Sequence, residues 1–82
     1  MESVIILFRD MTREKDVDLE VPLAITAREF ILALNKTYHL GIDPAAEGQI
    51  YLRMEYPVAL LHGDDLLGSF GMRTGSVVYF ER

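Results

Sequence analysis

Few side chains in this protein have the type and spacing to do chemistry. The histidines are His39 and His62. His62 precedes Gly63-Asp64-Asp65, and an imidazole beside two carboxylates is a fragment of a metal-binding set. A metal centre needs three or four ligands converging from different directions, and one short turn does not supply them, so this stretch reads as a solvated turn. His39 falls in the last turn of a predicted helix, where a cation is favoured by the helix dipole, and its role reads as structural. Ser3, Ser69 and Ser76 have no base at a spacing that would activate a hydroxyl. Gly63, Gly68, Gly71 and Gly75 do not form a phosphate-cradling loop ahead of a helix; they read as turn glycines with positive φ. The absence of cysteine removes disulfides, thiolate metal sites and thiol catalysis together. The expectation is a protein without catalytic, cofactor or metal residues.

Length and charge narrow the class further. The 82 residues suffice for one modest core. Thirteen acidic against eight basic residues give a net charge of −5, with no Lys/Arg block, so a nucleic-acid backbone would be repelled. The acidity serves solubility, with steering toward a basic partner as the second reading. The start, Met1 to Arg9, carries an apolar run of only five residues behind an acid. A signal peptide wants a basic start, and a membrane span needs about 20 apolar residues. A cytoplasmic protein that does not insert into membranes is expected.

The elements that must position any site follow from periodicity. Val4 to Phe8 reads as a buried strand, and Arg9 to Lys15 as a long, mobile turn. Asp16 to Val21 alternates, with Val17, Leu19 and Val21 inward and Asp18 and Glu20 in water, as an outer strand would. Pro22 ends it. Thr26-Ala27-Arg28-Glu29 fits a capping box, and Ile25 with Phe30 has the spacing of a hydrophobic staple. Phe30, Ile31, Leu34 and Tyr38 form one apolar stripe, and Gly41 supplies the stop, so Thr26 to His39 is a helix.

Ile42 to Gly48 is a loop, and Gln49 to Met54 a strand with Ile50, Leu52 and Met54 on one face and Tyr51 and Arg53 on the other. Val58 to Leu61 is a short edge strand after Pro57. Asp65 caps a helical turn through Phe70, and Arg73-Thr74-Gly75 leads into the strand Val77 to Phe80. The order is α+β, a β-grasp: one helix crossing a mixed four- to five-stranded sheet, with the first and last strands parallel.

The same alternation selects an outer sheet face. If Ile6, Phe8, Val78 and Phe80 point at the helix, then Ile5, Leu7, Tyr51, Arg53, Val77 and Tyr79 point away. A mixture of aromatic, aliphatic and arginine side chains is characteristic of protein-binding surfaces. Exposed helix positions such as Arg28 and Lys36 read as solvated charges.

Asp16 to Pro22 leading into Thr26 to Ile31 resembles the second strand and helix start of ubiquitin-like proteins. Leu67-Gly68-Ser69-Phe70-Gly71-Met72-Arg73-Thr74-Gly75 resembles their last turn. The length, the ending at Arg82 and the Leu-x-x-Phe-Gly-Met-x-x-Gly turn are similar to the YukD/EsaB-type proteins, accessories of the type VII (WXG100/ESX) secretion system of Gram-positive bacteria. The resemblance implies one ubiquitin-like domain over residues 1–82 that works in the cytoplasm as a component or regulator, bound to proteins of the secretion machinery. The alternative is a self-associating ubiquitin-like scaffold unrelated to secretion, with a second copy as partner; its Gly63-Asp64-Asp65 acidic fragment lacks a matching lysine near the first strand.

Conjugation requires a terminal glycine pair that threads into an activating enzyme, whereas the given sequence ends Phe80-Glu81-Arg82. This chain, incubated with ATP and an activating enzyme, is therefore expected to give no adduct on a denaturing gel. A covalent product stable to denaturant would refute a purely non-covalent role.

Overall fold

The computed structural model describes residues 2–81. Its elements are β1 (Ser3–Asp10), β2 (Lys15–Pro22), α1 (Ala27–Tyr38), β3 (Leu52–Glu55), β4 (Ala59–Leu61) and β5 (Val77–Phe80), with 3-10 turns at Glu47–Gln49 and Leu67–Phe70. The sheet order is β2-β1-β5-β3-β4. Only β1 and β5 run parallel, with Leu7 opposite Val77 and Arg9 opposite Tyr79. The neighbouring pairs β1–β2, β3–β5 and β3–β4 are antiparallel. A parallel pair needs a crossover, and everything between β1 and β5 in the chain supplies it.

One sheet face is buried under the helix. Ile6, Phe8, Leu52, Met54, Val78 and Phe80 come up from the strands and meet Phe30, Ile31 and Leu34 of α1 in one core. The strand alternation expected from the sequence therefore holds on β1, β2 and β5, and the facing of Ile50, Leu52 and Met54 holds as well. Tyr38 completes the stripe half-buried, its ring centroid 5.4 Å from that of Phe8.

The helix start is held twice. Glu29 N–H donates to Thr26 Oγ1 at 3.0 Å, and Thr26 N–H donates to Glu29 Oε1 at 3.1 Å, a closed capping box. Two further first-turn donors are met from outside the helix. Ala27 N–H reaches Asp65 O and Arg28 N–H reaches Gly63 O, both at 3.0 Å. The turn Gly63–Asp65 thus serves the helix N-terminus through its carbonyls, satisfying groups that a helix cannot satisfy internally. Asp65 caps nothing with its side chain: the 3-10 turn Leu67–Phe70 starts from Leu66 without a side-chain cap.

Several boundaries differ from the expectations. The strand foreseen from Gln49 begins only at Leu52, because Glu47–Gln49 closes a 3-10 turn, and β4 begins at Ala59 rather than Val58. The helix stop is His39, left-handed at φ 53°, two residues before Gly41. Asn35 explains this: its backbone carbonyl accepts from Leu40 N–H, while its side chain bonds both Ile42 N–H and Ile42 O, which pulls the chain out of the helix. Gly68 has no positive φ; it lies in the 3-10 turn against Leu23. Gly71 does need its glycine, with φ at 80° and an added Cβ only 3.1 Å from Pro57 Cγ.

The largest correction concerns Arg9 to Lys15. Arg9 and Asp10 belong to β1 and Lys15 to β2, leaving a four-residue turn, Met11 to Glu14. The buried Asp10 carboxylate organises it, accepting from Thr12 N–H at 3.0 Å, Arg13 N–H at 3.1 Å and the Arg13 guanidinium at 3.0 Å. Arg13 continues to the helix end, donating to Tyr38 O at 3.0 Å and His39 O at 2.9 Å. The side chain that meets the last helical carbonyls is thus Arg13, while His39 is exposed. Arg28 is likewise not a free solvated charge, since it pairs with Glu47.

Thr26→Ala should cost about 1 kcal/mol, the usual loss for an N-cap. Phe30→Ala should cost about 3–5 kcal/mol, because a buried aromatic leaves the core. Urea denaturation of the two variants checks the order; equal, mild losses would contradict the burial of Phe30.

Candidate protein-docking face

With the helix on one side of the sheet, the other side faces solvent, and register determines which side chains meet there. Reading across the strands, Leu7 lies beside Val77, which lies beside Glu55. One step further, Arg9, Tyr79, Arg53 and Leu60 form a second row. Ile5 stands before the first row and Tyr51 beyond the second, so those two mark opposite ends. All six residues selected from the sequence are on this face. Ile5 and Tyr51 are each 45% exposed, Arg53 is exposed, and Leu7, Val77 and Tyr79 are half-buried by their neighbours.

Tyr79 is the centre of the second row. The Arg9 guanidinium lies 5.9 Å from its ring centroid and that of Arg53 5.8 Å, one from each neighbouring strand. Guanidinium groups at this range are attracted to the ring face and hold it in place. Each arginine is steadied in turn: Arg9 forms a two-pronged pair with Asp16 at 3.0 and 3.2 Å, and Arg53 reaches Glu81 at 2.8 Å. The hydrogen bond to Asp16 raises the Arg9 pKa further above its ordinary value. The Tyr79 phenol is also raised above its ordinary value, first by desolvation and then by its hydrogen bond to Glu55, against an opposing pull from Arg9.

Arg9, Glu55 and Leu60 join this face without having been singled out in the sequence. Continuing the β1 alternation from Ile5 and Leu7 would have reached Arg9, but its polar neighbours suggested a loop. Leu60 could have been found from the buried Leu61 next to it. A groove of about 310 Å³ lined by Arg53, Glu55, Val58, Leu60 and Tyr79 carries the surface to the β4 edge. On the opposite flank, β2 sets Asp16, Asp18 and Glu20 alongside Arg9, Leu7 and Ile5. The result is an apolar and aromatic strip with an acidic border.

Among the described residues, two of the serine hydroxyls noted in the sequence are engaged in hydrogen bonds. Ser76 is buried and its hydroxyl is spent on structure, donating to Tyr56 O at 2.6 Å and accepting from Arg73 N–H at 3.1 Å. Ser3 donates to Glu20 at 2.8 Å. His39 and His62 are exposed, and among the described residues no three His, Asp or Glu side chains gather as a metal group. Of the tail, Phe80 is buried and Glu81 holds Arg53, while Arg82 lies outside the described residues.

A family model for the WXG100 protein secretion system (Wss) protein YukD matches residues 4–80. No curated protein matches the sequence. Among solved structures, a chain from the work "Molecular Mimicry of SUMO promotes DNA repair" superposes with a TM-score of 0.67 at 16% identity, over 96% of this chain and 90% of that one. A de novo design based on ubiquitin superposes with a TM-score of 0.65 at 18% identity, over 96% of this chain and 87% of that one. At these identities the likeness is one of fold, and the fold is the ubiquitin-like β-grasp.

The geometry around Tyr79 has a measurable consequence. Its folded-state pKa lies above the unfolded value, so its contribution to stability is complete below the ordinary tyrosine range and is lost as pH rises through the raised value. In an ultraviolet titration of the tyrosines, Tyr79→Phe should remove a component that titrates above the ordinary tyrosine range, and Glu55→Gln should move that component down. Loss of a component at or below the ordinary tyrosine value in Tyr79→Phe would contradict the packing described.

Proposed function

We propose that this chain, which belongs to the YukD family of the WXG100 protein secretion system, acts without catalysis as a docking component of that system, binding a protein of the secretion machinery on its outer sheet face. The observation that carries the reading is the row Arg9, Tyr79, Arg53 beside Leu7 and Val77: an aromatic ring fixed between two arginines next to an aliphatic strip. Tyrosine and arginine dominate binding energy where they are held rigid, because little side-chain freedom is lost on docking. The acidic border of Asp18 and Glu20 adds chemical character, favouring a partner whose apolar contact is flanked by lysine or arginine.

The ubiquitin-like fold and the family's association with secretion both suit a non-enzymatic part that works by non-covalent contact in the cytoplasm. Among the described residues no helix is long and apolar enough to cross a membrane. In this reading residues 1–82 act as one domain, and the helix side of the molecule takes no part in capture.

Tyr79→Ala and Leu7→Ser should each weaken partner binding by about 1–2 kcal/mol, more where the residue is a hot spot, with folding largely intact. Lys36→Glu, on the exposed side of α1, should change little. Pull-downs from host cytoplasm with each variant, alongside circular dichroism, decide the matter. Partner loss with the Lys36 variant but not with Tyr79→Ala would move the site to the helix.

A further inference from the structure

The two edges of the sheet are built differently. The β2 edge is eight residues long and its outward side chains are Asp16, Asp18 and Glu20. Charges in such positions keep edges from pairing with one another. The β4 edge is three residues long and carries no such guard. From Tyr56 to His62 the chain reads Tyr-Pro-Val-Ala-Leu-Leu-His, without an acid, a lysine or an arginine. Its outward residues are unusually bare: Tyr56 is 58% exposed, Val58 86% and Leu60 48%.

Register shows which backbone groups this edge offers. Leu7 N–H donates to Ser76 O and Met11 N–H to Phe80 O, so the even-numbered residues at this end of the chain face β1. Main-chain groups alternate along a strand, so Val77 and Tyr79 face β3 and bond their partners Glu55 and Arg53. Leu52 and Met54 then face β4 and bond Leu61 and Ala59. This leaves the N–H and C=O of Leu60 pointing out from the edge, with its side chain on the outer face opposite Arg53.

We propose that β4 pairs antiparallel with β4 of a second copy about a two-fold axis at Leu60. The two Leu60 residues exchange both backbone hydrogen bonds, and Val58 of each copy lies opposite His62 of the other. The pairing is self-complementary and closes, because the same patch is used on both copies. It brings no charge against another. A β2–β2 pairing would set acids on both sides of the seam, and a β2–β4 pairing would strip water from Asp18 or Glu20 against an apolar partner. The outer faces of the two copies become one continuous surface, with two Tyr79 rows flanking the central leucines.

A three-residue strand buries far less than the roughly 1,200 Å² of a stable interface, so the dimer is reversible and forms at high concentration. Partners that gather copies in one place would raise the effective concentration and favour it. The proposal goes beyond the docking role assigned to Tyr79 and does not depend on it.

Sedimentation equilibrium from micromolar to millimolar protein tests the pairing, with amide chemical shifts followed over the same range. The expected result is a mass rising from monomer toward dimer, with concentration-dependent shifts at Val58, Leu60 and His62. Leu60→Pro deletes the outward N–H while leaving the β3–β4 bonds in place, a substitution that edge strands tolerate, and should abolish the rise. Val58→Lys, at a position that is almost fully exposed, should abolish it as well, and serves if the proline variant does not fold. Asp18→Asn on the opposite edge should leave it unchanged. A protein monomeric throughout, a dimer surviving in both Leu60→Pro and Val58→Lys, or shifts confined to β2 would overturn the proposal. Partner capture separates the two readings: Tyr79→Ala should lose the partner yet still dimerise.

Discussion

The structure depends on the parallel pairing of β1 with β5. These strands come from opposite ends of the chain, and their contact places Ile6, Phe8, Val78 and Phe80 side by side beneath the helix. Because side chains alternate, burying those four forces Leu7, Arg9, Val77 and Tyr79 to the other side. The candidate docking face is therefore the reverse of the core. A one-residue slip of either strand would turn its own set over, burying Arg9 and exposing Phe8 on β1 or burying Tyr79 and exposing Val78 on β5, so the core that stabilises the fold also fixes the composition of the surface.

Two devices close the molecule around that pair, one at each end of the helix. At the N-terminus the capping box uses residues of α1 itself, and carbonyls of the Gly63–Asp65 turn take two further donors. At the C-terminus Asp10 and Arg13 tie the first hairpin turn to the last helical carbonyls. Both solve the same problem: helix ends leave backbone groups unsatisfied, and each is answered from a segment distant in sequence. A stretch that looks like a charged, free loop is in this way a structural clamp.

The outer face shows how charge is distributed on a small acidic protein. Its arginines are not free cations: Arg9 is held by Asp16, Arg53 by Glu81, and Tyr79 lies between them. Neutralised in this way, the guanidinium groups act as flat contact surfaces more than as point charges. Uncompensated acids are left toward β2, and apolar groups toward β4. The surface thus grades from acidic to apolar across its five strands, and that gradient distinguishes the two edges.

Local signals in the sequence were enough for the helix, its cap, the alternation of β1, β2 and β5, and the six residues of the outer face. Each of these rests on residues a few positions apart: Thr26 with Glu29, or Ile5 with Leu7. The ubiquitin-like resemblance likewise came from contiguous stretches. What only the folded structure decided was each feature that depends on which partner a backbone or polar group finds. Arg9 becomes a strand residue because β2 and β5 pair with it on both sides. Asp10 is buried because Arg13 and two backbone N–H groups satisfy it. His39 ends the helix before Gly41 because Asn35 bonds Ile42. Asp64 and Asp65 sit in a turn whose backbone, not its carboxylates, serves α1. The physical reason is common to all four. Propensity and periodicity describe what a segment prefers by itself, while buried polar groups are placed wherever the folded chain brings them a partner.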